Sequence, residues 1–342
     1  MKRLARIPGM KIWSMLLLLA GMLGSCNVLS EAEEDCAVYV SFNYDMNMEF
    51  TNSFQQAVNS VTLYAFDKDG YLAFQKTEEG DLLKQDGYRM RLDGISRTEA
   101  AEYDYITWAG EPDNESFSIP VLSVGKHTKN DLICQLNRAG DGVVDDNLDD
   151  LFHGQVKDAA ISRSAQSDFE IVMPLVKNTN SIRIILQQVT GEPLKVEDFR
   201  FFVTDKNGKM QYDNTLLEDE QLTYKAWYTG NGHAGMGTRA EGQGITEINV
   251  AIAELTTARL MADMDPVLTI TKADGDIVLS IPLVECALLY KREKYSDMSN
   301  QEFLDREDEY NFTFFLDEND NWVSSTIIIN SWKLVLQGSE LK

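Results

Sequence analysis

Basic residues, histidine and cysteine are all scarce in this chain, and each shortage removes a class of function. Its 342 residues carry 31 Lys and Arg against 55 Asp and Glu, a net charge of −24. So acidic a surface repels phosphate backbones, which excludes nucleic acid as a partner. From Asn27 through Asp67 there is no Lys or Arg at all, so a trypsin-like or Arg-specific protease has no site in that stretch. The three histidines, His127, His153 and His233, lie far apart and fit no HExxH or other ligand spacing. No G-x-S-x-G elbow accompanies them, so no enzyme is expected and there is no catalytic residue, cofactor or metal to assign. Gly230-Asn231-Gly232-His233-Ala234-Gly235 fits G-x-G-x-x-G, but the glycines continue through Gly237, Gly242 and Gly244, and a mobile loop is expected. Asp317-Glu318-Asn319-Asp320-Asn321 opens like a calcium loop, yet Trp322 takes the place of the required glycine, which leaves a hairpin turn. The run Asp145–Asp150 reads as solvated charge.

What is present begins at the N-terminus. Lys2, Arg3, Arg6 and Lys11 precede the apolar run Met15–Ala20, with no acid among them. This is the charged region and short apolar core of a secretory signal, too short to span a bilayer as a mature helix. It ends in Leu23-Gly24-Ser25-Cys26, which resembles the lipobox of bacterial lipoproteins. The resemblance implies that the Cys26 thiol is acylated and that the chain is cut just before it. Without the signal, 27 Lys and Arg face 55 Asp and Glu, a net charge of −28, so membrane attachment is expected through the lipid and not through a basic patch. Of the four cysteines, Cys36, Cys134 and Cys286 then remain. They are too few for a disulfide scaffold, and they are expected to serve mostly as buried small hydrophobes.

After the polar, acidic stretch Asn27–Asp35, which reads as a tether, Val38, Val40, Phe42 and Tyr44 alternate with polar or half-polar residues. Val61–Phe66 and Tyr71–Phe74 flank Asp67-Lys68-Asp69-Gly70, where Asp-Gly supplies the positive φ of a tight hairpin. Tyr88–Leu92 and Tyr103–Ala109 continue the period-two rhythm. A second series starts at Phe169–Leu175 and includes Ser181–Leu186, Phe199–Thr204, Val267–Thr271, Ile277–Ile281, Tyr310–Leu316 and Ser325–Leu336. One short helix is expected after the Ser299/Glu302 capping box. VTLYAFDKDGYL from Val61 and FRFFVTDKNGKM from Phe199 form a weak internal repeat. The pattern predicts an all-β chain of two consecutive β-sandwich domains. The predicted division is a signal peptide 1–25, a lipidated Cys and tether 26–36, an N-terminal sandwich 37–165 and a C-terminal sandwich 166–342.

Several stretches then fall in a familiar order: Cys36–Val40, the Phe66–Gly70 hairpin, Asp150–Gly154, Met173-Pro174-Leu175, Ile281–Leu283, Gln301–Glu307, Tyr310–Leu316 and Ile327–Trp332. Together they resemble the fimbrillin-associated anchor subunits of Bacteroidia-type (type V) fimbriae. The resemblance implies transthyretin-like sandwiches and an outer-membrane lipoprotein that fixes the base of a fimbria and limits its length. It implies the major fimbrial shaft subunit as partner, met by strand addition, and the membrane, met through the N-terminal lipid. In that family an Arg-specific protease trims the shaft subunits. The stretch from Asn27 without Lys or Arg departs from this, as an anchor should. Two readings of the C-terminus stay open: closing strands of the domain's own core, or a donor strand around Lys333, Leu334, Val335 and Leu336 that enters the first shaft subunit. The alternative function is a surface lipoprotein binding a glycan or host ligand through Trp108, Trp227, Tyr228 and Trp322, each of which has buried core as its ordinary role.

The lipid claim has a direct check. Cys26→Ala is expected to abolish acylation, to release the protein from the membrane fraction and to shed fimbriae into the medium. Unchanged membrane fractionation of the variant would contradict it.

Overall fold

The structure is a computed structural model that describes residues 37–157, 162–163, 168–235 and 247–335. The first half contributes β1 (Val38–Asn43), β2 (Ser60–Phe66), β3 (Leu72–Glu79), β4 (Met90–Leu92), β5 (Asp104–Gly110), β6 (Phe117–Ser118), β7 (Cys134–Leu136), β8 (Val143–Val144), β9 (Leu151–Val156), β10 (Ser162–Arg163) and β11 (Phe169–Lys177). The second contributes β12 (Thr179–Gln188), β13 (Phe199–Asp205), β14 (Lys209–Met210), β15 (Leu222–Lys225), β16 (Tyr228–Gly235), β17 (Glu247–Ala258), β18 (Val267–Lys272), β19 (Ile277–Pro282), β20 (Glu309–Leu316), β21 (Trp322–Ile329) and β22 (Trp332–Val335). Among the described residues, four α-helices accompany them: α1 (Phe54–Ala57), α2 (Arg97–Ala100), α3 (Leu283–Lys294) and α4 (Asn300–Arg306). The chain is mostly β, as its alternating pattern demands; in β1 the expected apolar residues are buried and those between them half-buried.

The first sheet runs β3-β2-β5-β9-β11-β1-β4, with β10 against β11. The second half forms a six-stranded sheet, β16-β17-β12-β20-β21-β22, and a five-stranded one, β19-β18-β13-β15-β8. A small sheet β14-β7-β6 joins the halves. The internal repeat is visible in the pairing. Strand β1 lies between the parallel β11 and the antiparallel β4, and β12 lies between the parallel β20 and the antiparallel β17. Likewise β2 sits between antiparallel β3 and β5, and β13 between antiparallel β15 and β18. The turns do not repeat. Asp67–Gly70 closes the β2–β3 hairpin, but β14 after Asn207-Gly208 leaves β13 and pairs with β7.

The register moves the predicted division. Phe169–Lys177, expected to open the second domain at residue 166, is β11 and pairs along β1. The passage from one sheet to the next is therefore at Asn178, fully buried between β11 and β12. Nor do the halves have separate cores. Phe66, Ile106 and Trp108 of the first half share one apolar cluster with Ile184, Phe201 and Phe312 of the second, while Val38, Val40, Leu63, Phe152 and Met173 form a second cluster. Sequence periodicity reads each strand's face but not which sheet receives it.

Three local expectations also change. Helix α3 was unforeseen because its first eight residues, LVECALLY, are apolar except for the exposed Glu285 and too uniform to show a helical period; Cys286, Ala287 and Leu288 are buried there. The glycine run is not a loop at its start: Tyr228–Gly235 is β16, paired along β17 from Glu254 to Glu247. A Cβ on Gly232 would come within 2.5 Å of the Ile252 side chain, so glycine is what lets that neighbour lie across the strand. Residues 236–246 lie outside the described residues. The acidic run is partly structural, since Asp149 accepts from the backbone N–H groups of Glu115 and Ser116 at 2.8 and 3.2 Å. The hairpin at Asp317–Asn321 forms as expected, with the Asp317 carboxylate accepting from the backbone N–H groups of Asn319 and Asn321.

Candidate functional site

The residues singled out by sequence lie at the two ends of the chain, and the structure does not bring them together. Cys26 and Leu336 lie outside the described residues. The chain enters the fold at Ala37, whose carbonyl accepts from Phe169 N–H at 3.0 Å, and continues directly into β1. Lys333, Leu334 and Val335 belong to β22, opposite Ile328, Ile327 and Thr326 of β21. Strand β22 is the outermost of its sheet, with β21 as its single partner among the described strands. An outermost strand offers unpaired backbone N–H and C=O groups on one side, and these can template another strand.

Between the two ends stands a polar junction that sequence reasoning missed. Arg138 of the first half grips Asp219 of the second through two parallel hydrogen bonds of 2.9 and 2.7 Å, and its Nε donates to Glu220 at 2.9 Å. Lys209 reaches Asp219 at 3.1 Å. Burial opposes charge on Asp219, yet these two cations hold its carboxyl below the usual range. Asn178 and Asn214 exchange amide hydrogen bonds of 2.6 and 3.0 Å. The His153 ring nitrogen Nε2 contacts the Tyr212 carbonyl oxygen at 2.8 Å, and the ring packs edge-on against Trp108. At the far side, Arg306 on α4 donates to the Asp45 carbonyl at 2.8 Å and covers the Phe50 ring at 4.5 Å. Lys177 bridges Asp150 and Asp308 at 3.0 and 2.8 Å. No sequence signal pairs Arg138 with a carboxylate some eighty positions away. Only the shortage of cations, which makes each buried one informative, hinted at such partners.

The remaining candidates separate by burial. Trp108 is buried and Trp322 packs half-buried on the core, whereas Trp227 and Tyr228 are 39% and 46% exposed. Cys134 and Cys286 are free thiols in the core, where burial pushes the Cys286 thiol up to about 12. Cys36 is outside the described residues. His127 accepts from Ser123 N–H in a surface turn, and no described cluster of His, Cys, Asp or Glu is arranged to hold a metal ion.

Two linked β-units ending in an outermost strand are the frame of a fimbrial anchor protein. Residues 33–338 match the family of fimbrillin-A associated anchor proteins Mfa1 and Mfa2, and the chain belongs to that family. It is thus one of a group of cell-surface fimbrial anchor proteins and not of an enzyme family. It is similar to a candidate adhesin of Bacteroides thetaiotaomicron VPI-5482, with 34% identity, a TM-score of 0.76, and coverage of 88% of this chain and 99% of that one. A candidate polysaccharide-binding protein of the same organism matches with 28% identity and a TM-score of 0.74, over 90% of this chain and 100% of the other. The fimbrial anchor protein Mfa2 of Porphyromonas gingivalis shares the fold, with 18% identity and a TM-score of 0.61 over 88% and 99% of the two chains. No curated protein matches.

Three titratable groups shifted mainly by burial make stability depend on pH. Burial, then the neighbouring Asp308 carboxylate, raises the Glu307 carboxyl from 4.5 to about 7. The folded state therefore keeps a proton that the unfolded chain has lost, and stability falls as pH rises through this window. Asp205, raised by burial to about 6, acts in the same sense. His153, lowered by burial to about 4, acts oppositely because the unfolded chain takes up the proton first. Above pH 6.5 the Glu307 contribution stands alone among these three. Glu307→Gln is expected to stabilise the fold at pH 8 by on the order of 1–3 kcal/mol, with the gain shrinking toward pH 5. Thermal melts across pH check this, and a gain independent of pH would contradict it.

Proposed function

We propose that this chain is a non-enzymatic outer-membrane lipoprotein, acylated at Cys26, that fixes the base of a fimbria through strand addition to the first shaft subunit. Its membership in the anchor family supports the role, and the position of β22 carries the contact. A strand paired on one side only, at the end of the described chain, is suited to exchange backbone hydrogen bonds with a neighbour while alternate side chains set register. Residues 333–341 would supply that strand, with Val335 and its alternating partners entering pockets of the shaft subunit.

The opposite end supports a second part of the role. In a chain that grows by strand addition, a subunit whose own first strand stays in place accepts no further donor there. Strand β1 is held on both edges, by β11 and by β4, and the stretch ahead of it has no Lys or Arg for a protease to use. Such a subunit ends the polymer and so limits its length.

Truncation after Trp332 tests the contact. A donor strand predicts a folded, membrane-bound protein that fails to hold fimbriae. A truncated protein that folds normally and still anchors full-length fimbriae would overturn the proposal, and loss of the folded protein itself would return the segment to the domain's own core.

A further inference from the structure

The outer face of the six-stranded sheet carries a feature that anchoring does not use. Where β12, β17 and β20 lie side by side, a cavity of about 180 Å³ opens beside Trp227. Its floor is built from the outward side chains of Ser181, Arg183, Glu254, Glu309 and Asn311. The register explains the grouping: Arg183 stands opposite Glu254 on one side and Asn311 on the other, and Ser181 stands opposite Glu309. Glu254 Oε1 accepts from both Nε and Nη2 of Arg183, at 2.9 and 2.6 Å, which holds the guanidinium beside the carboxylate. Among the described hydrogen bonds, none involves Arg183 Nη1, Glu254 Oε2 or the side-chain amide of Asn311, whose backbone N–H donates to Asn330 Oδ1.

Trp227 forms the wall of this cavity, pinned where its backbone N–H donates to the Glu254 carbonyl at 3.0 Å. Tyr228 continues the aromatic surface, its ring centroid 6.0 Å from that of Trp227. Tyr228 lies along its own strand because Gly230 leaves room: a Cβ there would meet the Tyr228 hydroxyl at 2.5 Å. Two adjacent aromatic rings exposed to this extent, on the bend ahead of β16 and on its first residue, are an arrangement that burial alone does not explain.

We propose that this groove binds a neutral glycan, with the C–H face of one pyranose on the Trp227 indole and its hydroxyls shared among Arg183, Glu254 and Asn311. A paired guanidinium and carboxylate present fixed donors and acceptors side by side, which suits vicinal hydroxyls. One aromatic wall with a few convergent polar groups is the usual composition of a small-molecule site. Charge selects among glycans. Two carboxylates line the floor of a chain with a net charge of −24, so sulfated or uronic polymers are repelled. Backbone selects against peptides. Each of β12, β17 and β20 has a strand on both sides, so the floor offers no free edge for strand addition. The reading goes beyond anchoring and is independent of it, since Trp227 leads into β16, at the other end of this sheet from β22.

The test is affinity electrophoresis of the mature chain through gels holding mannan, xylan or dextran, with dextran sulfate as the charged comparison. At least one neutral polymer is expected to retard the protein, and dextran sulfate is not. Trp227→Ala and Arg183→Gln are each expected to weaken retardation about tenfold or more, with Trp227→Phe retaining part of it. Melting temperatures should stay unchanged, because both side chains are on the surface, and cells carrying Trp227→Ala should keep their fimbriae. Failure of all three neutral polymers to retard the protein would overturn the inference. So would retardation by dextran sulfate alone, or equal retardation of Trp227→Ala.

Discussion

The constraint on which the structure turns is the single residue between its two main sheets. Strand β11 ends at Lys177 and β12 begins at Thr179, so only Asn178 separates them. Asn178 is fully buried; its N–H donates to the Leu151 carbonyl at 2.7 Å and its amide pairs with Asn214. A linker of one residue, hydrogen-bonded on both main chain and side chain, leaves no slack between the sheet that holds β1 and the sheet that holds β22. Parallel pairing adds to this. Under the proposed anchoring, a pull toward the membrane would act on the N-terminal end of β1, with the opposing pull reaching β11 through its C-terminal end. The six residue pairs between them are then loaded along the strands, all at once, and not opened one after another from an end.

Polar groups around Asn178 fix how the halves sit. A carboxylate as buried as Asp219 costs several kcal/mol to desolvate, and breaking its pair with Arg138 would leave an uncompensated charge. The same holds more weakly for Arg306 on the Asp45 carbonyl and for Lys177 between two aspartates. Such contacts are poor sources of net stability but good sources of uniqueness, because an alternative packing of the halves would strand each charge. The shared apolar cluster supplies the stabilising burial, and the junction selects one arrangement.

Much of the fold was legible from local pattern. Alternation in β1, the Asp-Gly turn after β2 and the Ser299 cap of α4 each follow from neighbours a few residues apart, and each appears in place. What failed involved partners distant in sequence. Nothing in Phe169–Lys177 itself says that it joins β1, and the largely apolar stretch that became α3, broken only by Glu285, carries no clear period to tell helix from strand. At Gly230 and Gly232, glycine read as looseness, yet in the sheet it is the room that Tyr228 and Ile252 occupy. The candidate sites divide in the same way. The two proposed ends were singled out because a lipobox and a strongly apolar terminal strand are local signals. The Arg183–Glu254 groove was not, because it exists only once β12 and β17 are in register.

The central claim, that the C-terminal edge holds the fimbria, is open to one direct measurement. A photo-reactive amino acid at residue 334, in cells that still carry attached fimbriae, would be irradiated and its adducts identified by mass spectrometry, with the same probe at residue 229 on the opposite edge as comparison. An adduct with the basal shaft subunit from residue 334 and none from residue 229 is the predicted result. No adduct from residue 334 on cells whose fimbriae remain anchored, or an adduct from residue 229 alone, would contradict the account.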